Sequence, residues 1–193
     1  MVITLSVTGG RLISASTLVI SFCKIRTSSF STSDLAYTGE QIPFITSLLS
    51  YWPIEENSEP NVHLITDYLE FKNPELVVAY PKSDFILDEM IAVTVDAETE
   101  FIQNEHNIFE PENGNVLDAS EIDMILVPLL AFDKKGYRVG YGKGFYDKYL
   151  EECRKECIKV GFSYFEPVDQ ITDKLDFDVP LDLCITPHSV YVF

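Results

Sequence analysis

The sequence predicts an α/β fold, a three-layer sandwich on a largely parallel sheet, and three observations predict it. Short apolar runs of strand length recur along the chain, each bounded by turn residues. Helical apolar periods stand between several of them. One run, Met124-Ile125-Leu126-Val127-Pro128-Leu129-Leu130, leads into a glycine-rich turn and then a helical pattern. Strand, turn and helix in that order are the unit from which such sheets are built.

The elements follow in order. Residues 1–45 form an atypical N-terminal segment. Of the first 50 residues 17 are Ser or Thr, and only Asp34 and Glu40 are acidic, in a chain with 31 acidic residues. Val2–Val7 and Leu18–Phe22 read as short strands, and the segment is expected to be poorly ordered or peripheral. From 46 to 193 a single domain is expected. Ser47–Trp52 reads as a strand ended by Pro53, and Ile54–Pro60 as a polar loop. Asn61 is placed to cap a helix over Val62–Phe71, with Val62, Ile65 and Leu69 on its apolar face and Asn73-Pro74 as its stop. Glu75–Tyr80 is the second strand, ended by Pro81-Lys82, and Ile91–Val95 the third. Glu100–Asn115 reads as an acidic, loop-rich stretch. After Met124–Leu130 comes a helix with Tyr149, Leu150 and Cys153 on one face. Cys157–Phe162 and Leu183–Thr186 are further strands, and Val190–Phe193 pairs at an edge.

Composition excludes some functions. The formal net charge is −17, which argues against a nucleic-acid partner. A mean hydropathy of +0.07 gives no sign of a membrane span. The N-terminus lacks a basic leader, and Gly9-Gly10-Arg11 breaks its apolar run. Cys23, Cys153, Cys157 and Cys184 form no zinc pattern and read as reduced thiols, so a cytoplasmic location is expected.

Against this acidic background the segment Gly136–Asp147 stands out. Lys134, Lys135, Arg138, Lys143 and Lys148 supply five of the chain's 14 basic residues in 15 positions, interleaved with four glycines. A glycine-rich turn between strand and helix leaves main-chain N–H groups free to meet an anion, and the helix N-terminus adds partial positive charge. The glycine spacing fits neither a Walker loop nor a dinucleotide fingerprint. Asp147, one turn into the helix, suits a magnesium ion on a bound polyphosphate, or simply complements the helix dipole. A second carboxylate is available at Asp178 or Asp182, although Asp178 alone reads as a turn residue before Val179-Pro180. Tyr141, Phe145 and Tyr146 offer stacking on a flat heterocycle, a phenol on a phosphate, or packing of the helix. Ligands of parallel sheets bind beyond the carboxyl ends of strands. Those ends are here Pro53–Glu59, Pro81–Lys82, Leu130–Asp147 and Phe162–Pro167.

Pro128-Leu129-Leu130-Ala131-Phe132-Asp133, Gly136 and Arg138 through Asp147 together closely resemble the signature of the 5-formyltetrahydrofolate cyclo-ligase family, also called methenyltetrahydrofolate synthetases. Trp52-Pro53-Ile54 with Glu59-Pro60-Asn61, Ile108-Phe109-Glu110-Pro111, and Phe177 through Asp182 with Ile185-Thr186 extend the likeness over residues 45–193. The resemblance implies a Rossmann-like ATP- and folate-binding domain. It implies ATP- and magnesium-dependent closure of 5-formyltetrahydrofolate to 5,10-methenyltetrahydrofolate, releasing ADP and phosphate. By carry-over Arg138, Val139, Gly140, Tyr141, Gly142, Lys143, Gly144, Phe145 and Tyr146 bind ATP, and Arg138, Lys143 and Tyr146 are catalytic. Ile54, Glu59, Tyr141 and Phe145 contact the folate, and Asp147 with Asp178 binds Mg2+. No nucleic acid or membrane partner is implied, and the expected state is a monomer or weak homodimer.

Some positions depart from the family's pattern. Leu129 stands where glycine is usual, Phe177 where histidine is frequent, and Glu166-Pro167 where glutamine is common. The family begins with a helix whose lysine and arginine reach ATP phosphates. Lys24-Ile25-Arg26 is the nearest pair here and has the wrong spacing for one helical face. The compositional break near residue 45 suggests a displaced start or a frame change ahead of it. The rival reading is a catalytically impaired homologue that binds folate or nucleotide without these cations.

Overall fold

A computed structural model of the chain describes residues 45–193, apart from 55, 56 and 58, and two short strands before them, Thr4–Leu5 (β1) and Ile13–Ser14 (β2). β1 and β2 pair antiparallel, with Thr4 opposite Ser14. Thr4–Leu5 lies inside the first strand expected from the sequence. Leu18–Phe22, Cys23 and the Lys24–Arg26 pair lie outside the described residues, as does most of the N-terminal segment.

The domain is organised around Ser47–Leu49 (β3), a three-residue strand buried throughout. β3 runs parallel to Val77–Asp84 (β4) on one side and to Met124–Val127 (β9) on the other. Beyond β9 come Ile158–Phe162 (β12) and Leu183–Ile185 (β13), again parallel, and then antiparallel Val190–Val192 (β14) at the edge. Past β4 lie antiparallel Glu89–Thr94 (β5) and Val116–Leu117 (β8). The eight strands stand in the order β14-β13-β12-β9-β3-β4-β5-β8. Five consecutive strands are therefore parallel, as the sequence predicts.

Strand alternation sends neighbouring residues to opposite faces. Leu48, Val78, Met124, Leu126 and Val160 join one buried cluster, with Ile65 and Leu69 of the helix His63–Lys72 (α1). Leu49, Ala79, Ile125 and Val127 join the other, with Tyr149 and Leu150 of the helix Phe145–Glu152 (α2). Among the described residues each face thus carries one α-helix. Burying such side chains stabilises by roughly 1.5–3 kcal/mol each.

Asp123 fixes the sheet's amino end. It accepts from the hydroxyl of Thr46 at 2.8 Å and from Ser47 N–H at 3.2 Å, and it pairs with Arg154 beyond α2. Ser47 returns the contact, its hydroxyl accepting from Asp123 N–H at 2.8 Å.

The structure corrects several boundaries. β4 does not stop at Pro81-Lys82 but continues to Asp84. By that point β3 has ended and β4 pairs only with β5, so the missing proline N–H removes no ladder bond towards β3. The stretch Glu100–Asn115 is not simply loop. Phe101–Gln103 (β6) and Phe109–Pro111 (β7) make a hairpin whose turn is held by Asn104 Oδ1, accepting from His106 and Ile108 N–H. Val62, not Asn61, takes the N-cap position of α1, although Asn61 Oδ1 still accepts from His63 N–H at 3.0 Å.

Candidate active site

A cleft of about 610 Å³ opens beyond the carboxyl ends of β3, β4 and β9. Its lining takes in Ile54 and Glu59 after β3, Pro81 and Ser83 of β4, the whole run Arg138–Lys148, and Asp178. Every residue that the family resemblance assigns to the site therefore borders one space. Of the four strand ends, Phe162–Pro167 is absent from this lining. Residues of the 171–178 segment take that place instead, which no periodicity in the sequence marks.

The glycine turn is built from a small hairpin. Ala131–Phe132 (β10) pairs antiparallel with Arg138–Val139 (β11), and the buried Asp133 caps the connection, accepting from Lys135 and Tyr137 N–H at 2.8 and 3.1 Å. After β11 the chain turns through Gly142 at φ 84° to Gly144, the N-cap of α2, at φ 69°. Left-handed backbone of this kind favours glycine, which has no Cβ to clash. A Cβ at Gly140, Gly142 or Gly144 would meet nothing within 4 Å, so the turn's inner surface is open. Among the described residues, no acceptor takes a main-chain N–H from Gly140 to Asp147. These are the donors an anion requires. Lys143 is exposed at the turn and makes no ion pair with the described residues.

Arg138 and Asp147 face each other across the base of this turn. The guanidinium, 4% exposed, donates to Asp147 Oδ1 at 2.9 Å and to the Val179 carbonyl at 2.5 Å. Val179 N–H donates to the same Oδ1 at 3.1 Å. The network ties β11, the first turn of α2 and the segment holding Asp178 into one unit. Asp178 Oδ2 accepts from Leu175 N–H at 2.9 Å, which is the turn role its sequence suggests. Asp182 is engaged elsewhere: its carboxylate pairs with Lys159 at 2.8 Å.

Across the cleft stands Glu59. Its Oε2 accepts from Ile54 N–H at 2.7 Å, and its Oε1 accepts from the hydroxyl of Tyr141 on the glycine turn. Burial pushes the Glu59 carboxyl above the ordinary glutamate range, and the two hydrogen bonds only partly oppose that. Tyr146 places a buried hydroxyl here with no partner among the described residues. Burial and the charge of Glu59 raise that phenol, so it stays protonated.

Apolar walls complete the cleft. Phe85, in the β4–β5 turn, stacks on His106 at 3.8 Å between ring centres and meets Phe145 edge-on at 5.2 Å. Trp52 lies within a cluster with His63, Phe101 and Phe109 while also lining the space, so it serves both packing and site. Phe85 and His106 were not expected from the sequence; Phe85 is half-buried beside the exposed Ile86 and Leu87. The unusual Leu129 is buried against Gly161, where an added Cβ would come within 2.6 Å of the leucine Cδ2. A glycine in β12 thus makes room for the leucine at the end of β9.

Comparison with known proteins places this geometry. A model of the 5-formyltetrahydrofolate cyclo-ligase family matches residues 50–187. The 5-formyltetrahydrofolate cyclo-ligase of Mycoplasma pneumoniae is 35% identical over 145 residues, 74% of each chain. That of Escherichia coli K12 is 31% identical over 126 residues, 62% of this chain and 66% of its own. The NMR structure of Aquifex aeolicus 5,10-methenyltetrahydrofolate synthetase superposes with a TM-score of 0.62 at 28% identity, covering 77% of this chain and 72% of that one. The Mycoplasma pneumoniae 5,10-methenyltetrahydrofolate synthetase structure gives 0.55 at 30% identity, covering 73% of both.

Proposed function

The chain belongs to the 5-formyltetrahydrofolate cyclo-ligase family, and from that premise we propose how its cleft carries out the ATP-dependent cyclisation of 5-formyltetrahydrofolate. The observation that carries the reading is a single cleft with an anion-binding turn on one wall and a hydrogen-bonded carboxylate on the other. The main-chain N–H groups of residues 140–147, with Lys143, receive the phosphates of ATP. Glu59 accepts from the ring N–H and amino donors of the reduced pterin, beside Ile54, Tyr141 and Phe145.

In the reaction the formyl oxygen attacks the γ-phosphorus and ADP departs. N10 then closes on the activated carbon and gives up its proton, and the former formyl oxygen leaves with phosphate, which carries that proton away. Little covalent work falls to the protein; positioning and charge neutralisation supply the acceleration. Lys143 faces the transferring group. The Tyr146 hydroxyl, buried and unpartnered among the described residues, donates to an oxygen that gains charge. Arg138 contributes by holding Asp147 in place, since its guanidinium is already committed to that carboxylate and to Val179.

The residues fit a magnesium ion held in its usual way, by one or two carboxylates with phosphate oxygens and water. Among the described residues no cluster of three or more metal-ligating side chains exists. Asp147 and Asp178 both line the cleft and are linked through Val179. They would hold the ion, which would neutralise phosphate charge when bound. We place the protein in the cytoplasm as a monomer or weak homodimer. Cys153, Cys157 and Cys184 are free thiols, and no described helix is long and apolar enough to cross a membrane.

The experiment is a comparison of 5-formyltetrahydrofolate turnover in wild type and Glu59→Gln, followed by the near-ultraviolet absorbance of the methenyl product. The reading predicts a selective rise in the folate KM of the variant. An unchanged folate KM would remove Glu59 from the site.

A further inference from the structure

Among the described residues four buried side-chain polar atoms have no hydrogen-bond partner: the hydroxyls of Tyr51, Tyr146 and Tyr149, and Asn104 Nδ2. Two of them, Tyr51 and Tyr146, border the cleft. Tyr146 belongs to the glycine motif. Tyr51 does not, and nothing in the reading above uses it.

Tyr51 lies two residues past β3, at the carboxyl end of the central strand, where ligands of parallel sheets sit. It is 3% exposed and packs in the cluster that includes Ile65 and Tyr80. Packing alone calls for phenylalanine here, because a buried hydroxyl without a partner is a net cost to the fold. The residue lines the cleft together with Glu59, Tyr141 and Tyr146 nonetheless. Burial first, then the charge of Glu59 and the phenols of Tyr146 and Tyr141, hold Tyr51 in its protonated form. It is therefore an O–H donor in the lining that also carries Glu59. Glu59 already takes Tyr141 O–H on one oxygen and Ile54 N–H on the other, and Tyr51 bonds to neither.

We infer that Tyr51 is a specificity-determining residue, its hydroxyl donating to a carbonyl oxygen on the ring edge whose N–H groups Glu59 accepts. This rests on the cyclo-ligase reading and deepens it. A pteridine with an oxo group at position 4 presents that acceptor next to its N–H and amino donors. A 4-amino analogue presents a donor there, so the Tyr51 hydroxyl would lose its acceptor. Sites built to satisfy a buried polar group reject ligands that leave it unpaired.

The test is Tyr51→Phe, assayed for steady-state turnover and titrated calorimetrically with 5-formyltetrahydrofolate and with a 4-amino folate analogue. The folate KM and Kd should rise about tenfold while the ATP KM stays within about twofold, the loss expected for one ligand hydrogen bond. The preference for the 4-oxo over the 4-amino ligand should narrow by a similar factor. Thermal melting of the unliganded variant should be unchanged or higher, because only an unpartnered hydroxyl is removed. An intact folate Kd beside normal wild-type turnover would overturn this inference alone. Equal losses for folate and ATP, or a lower unliganded melting temperature, would make the hydroxyl structural and also overturn it. A wild type that binds no 5-formyltetrahydrofolate would overturn the cyclo-ligase reading, and this inference with it.

Discussion

The hydroxyl of Tyr141 donates to Oε1 of Glu59, joining residues 82 positions apart across the mouth of the cleft. One belongs to the glycine turn proposed to meet phosphate and the other to the loop proposed to meet the pterin. The contact sets the distance between the two halves of the site and couples them electrostatically.

A pH dependence follows from Glu59. Its folded carboxyl titrates above the ordinary glutamate value because burial disfavours the charge. In the proposed site the ionised form accepts the pterin donors, so folate affinity should be full above the folded pKa and lost as pH falls through it. Tyr141→Phe removes a hydrogen bond that holds this pKa down, so the acid limb of folate kcat/KM should move to higher pH. Glu59→Gln should abolish that limb. A limb that stays put in both variants would show that another group titrates.

Lys143 is exposed and makes no ion pair with the described residues, so Lys143→Ala should leave thermal stability unchanged. Loss of one charge-assisted contact to phosphate is worth roughly 1.5–3 kcal/mol. The ATP KM should therefore rise by about tenfold or more, with a smaller effect on folate. Equal loss for both substrates would contradict the assignment of the turn to ATP.

Arg138 has the opposite signature. Arg138→Ala leaves the Asp147 carboxylate, 19% exposed, without its cation, and breaking such a pair from one side costs about 3 kcal/mol or more. Denaturant unfolding should show that loss without any ligand present. Arg138→Lys should not restore it, since an ammonium cannot reach both Asp147 and the Val179 carbonyl as the planar fork does. Full stability in Arg138→Ala would make the residue a phosphate ligand rather than a brace.

Asp123 predicts acid sensitivity. Burial alone would raise its carboxyl, but donors from Thr46, the Arg154 guanidinium and Ser47 N–H bring it below the ordinary aspartate value. A folded pKa below the unfolded one means stability present above about pH 3.9 and lost as pH falls through the folded value. Asp123→Asn should lower stability near neutrality by roughly 1–2 kcal/mol and flatten the acid branch. Parallel acid-unfolding curves for the two proteins would refute this.

Much of the domain was legible because its strands are short, apolar and punctuated. Met124–Val127 and Leu183–Ile185 fall inside the runs that predict them. The β6–β7 hairpin was hidden because its turn rests on the Asn104 side chain and on Asn107 at φ 61°, while its strands are only three residues each. The continuation of β4 through Pro81 was hidden because whether a proline breaks a strand depends on which neighbour remains, and sequence does not carry that. In the site, the glycine turn announces itself by residue type. The pairing of Arg138 with Asp147 does not, because both residues also suit an ATP–magnesium site, and only the fold brings Val179 between them. Tyr51 and Phe85 become visible only once burial is known.

The central claim is that the glycine turn and Glu59 form one ATP-dependent folate site. The measurement that tests it most directly is the absorbance of the methenyl product when the full chain is mixed with 5-formyltetrahydrofolate, magnesium and ATP. The account predicts a steady rise that requires ATP, saturates with both substrates and falls sharply in Lys143→Ala and Glu59→Gln. No rise from the folded wild-type chain, or a rise that proceeds without ATP, would contradict it.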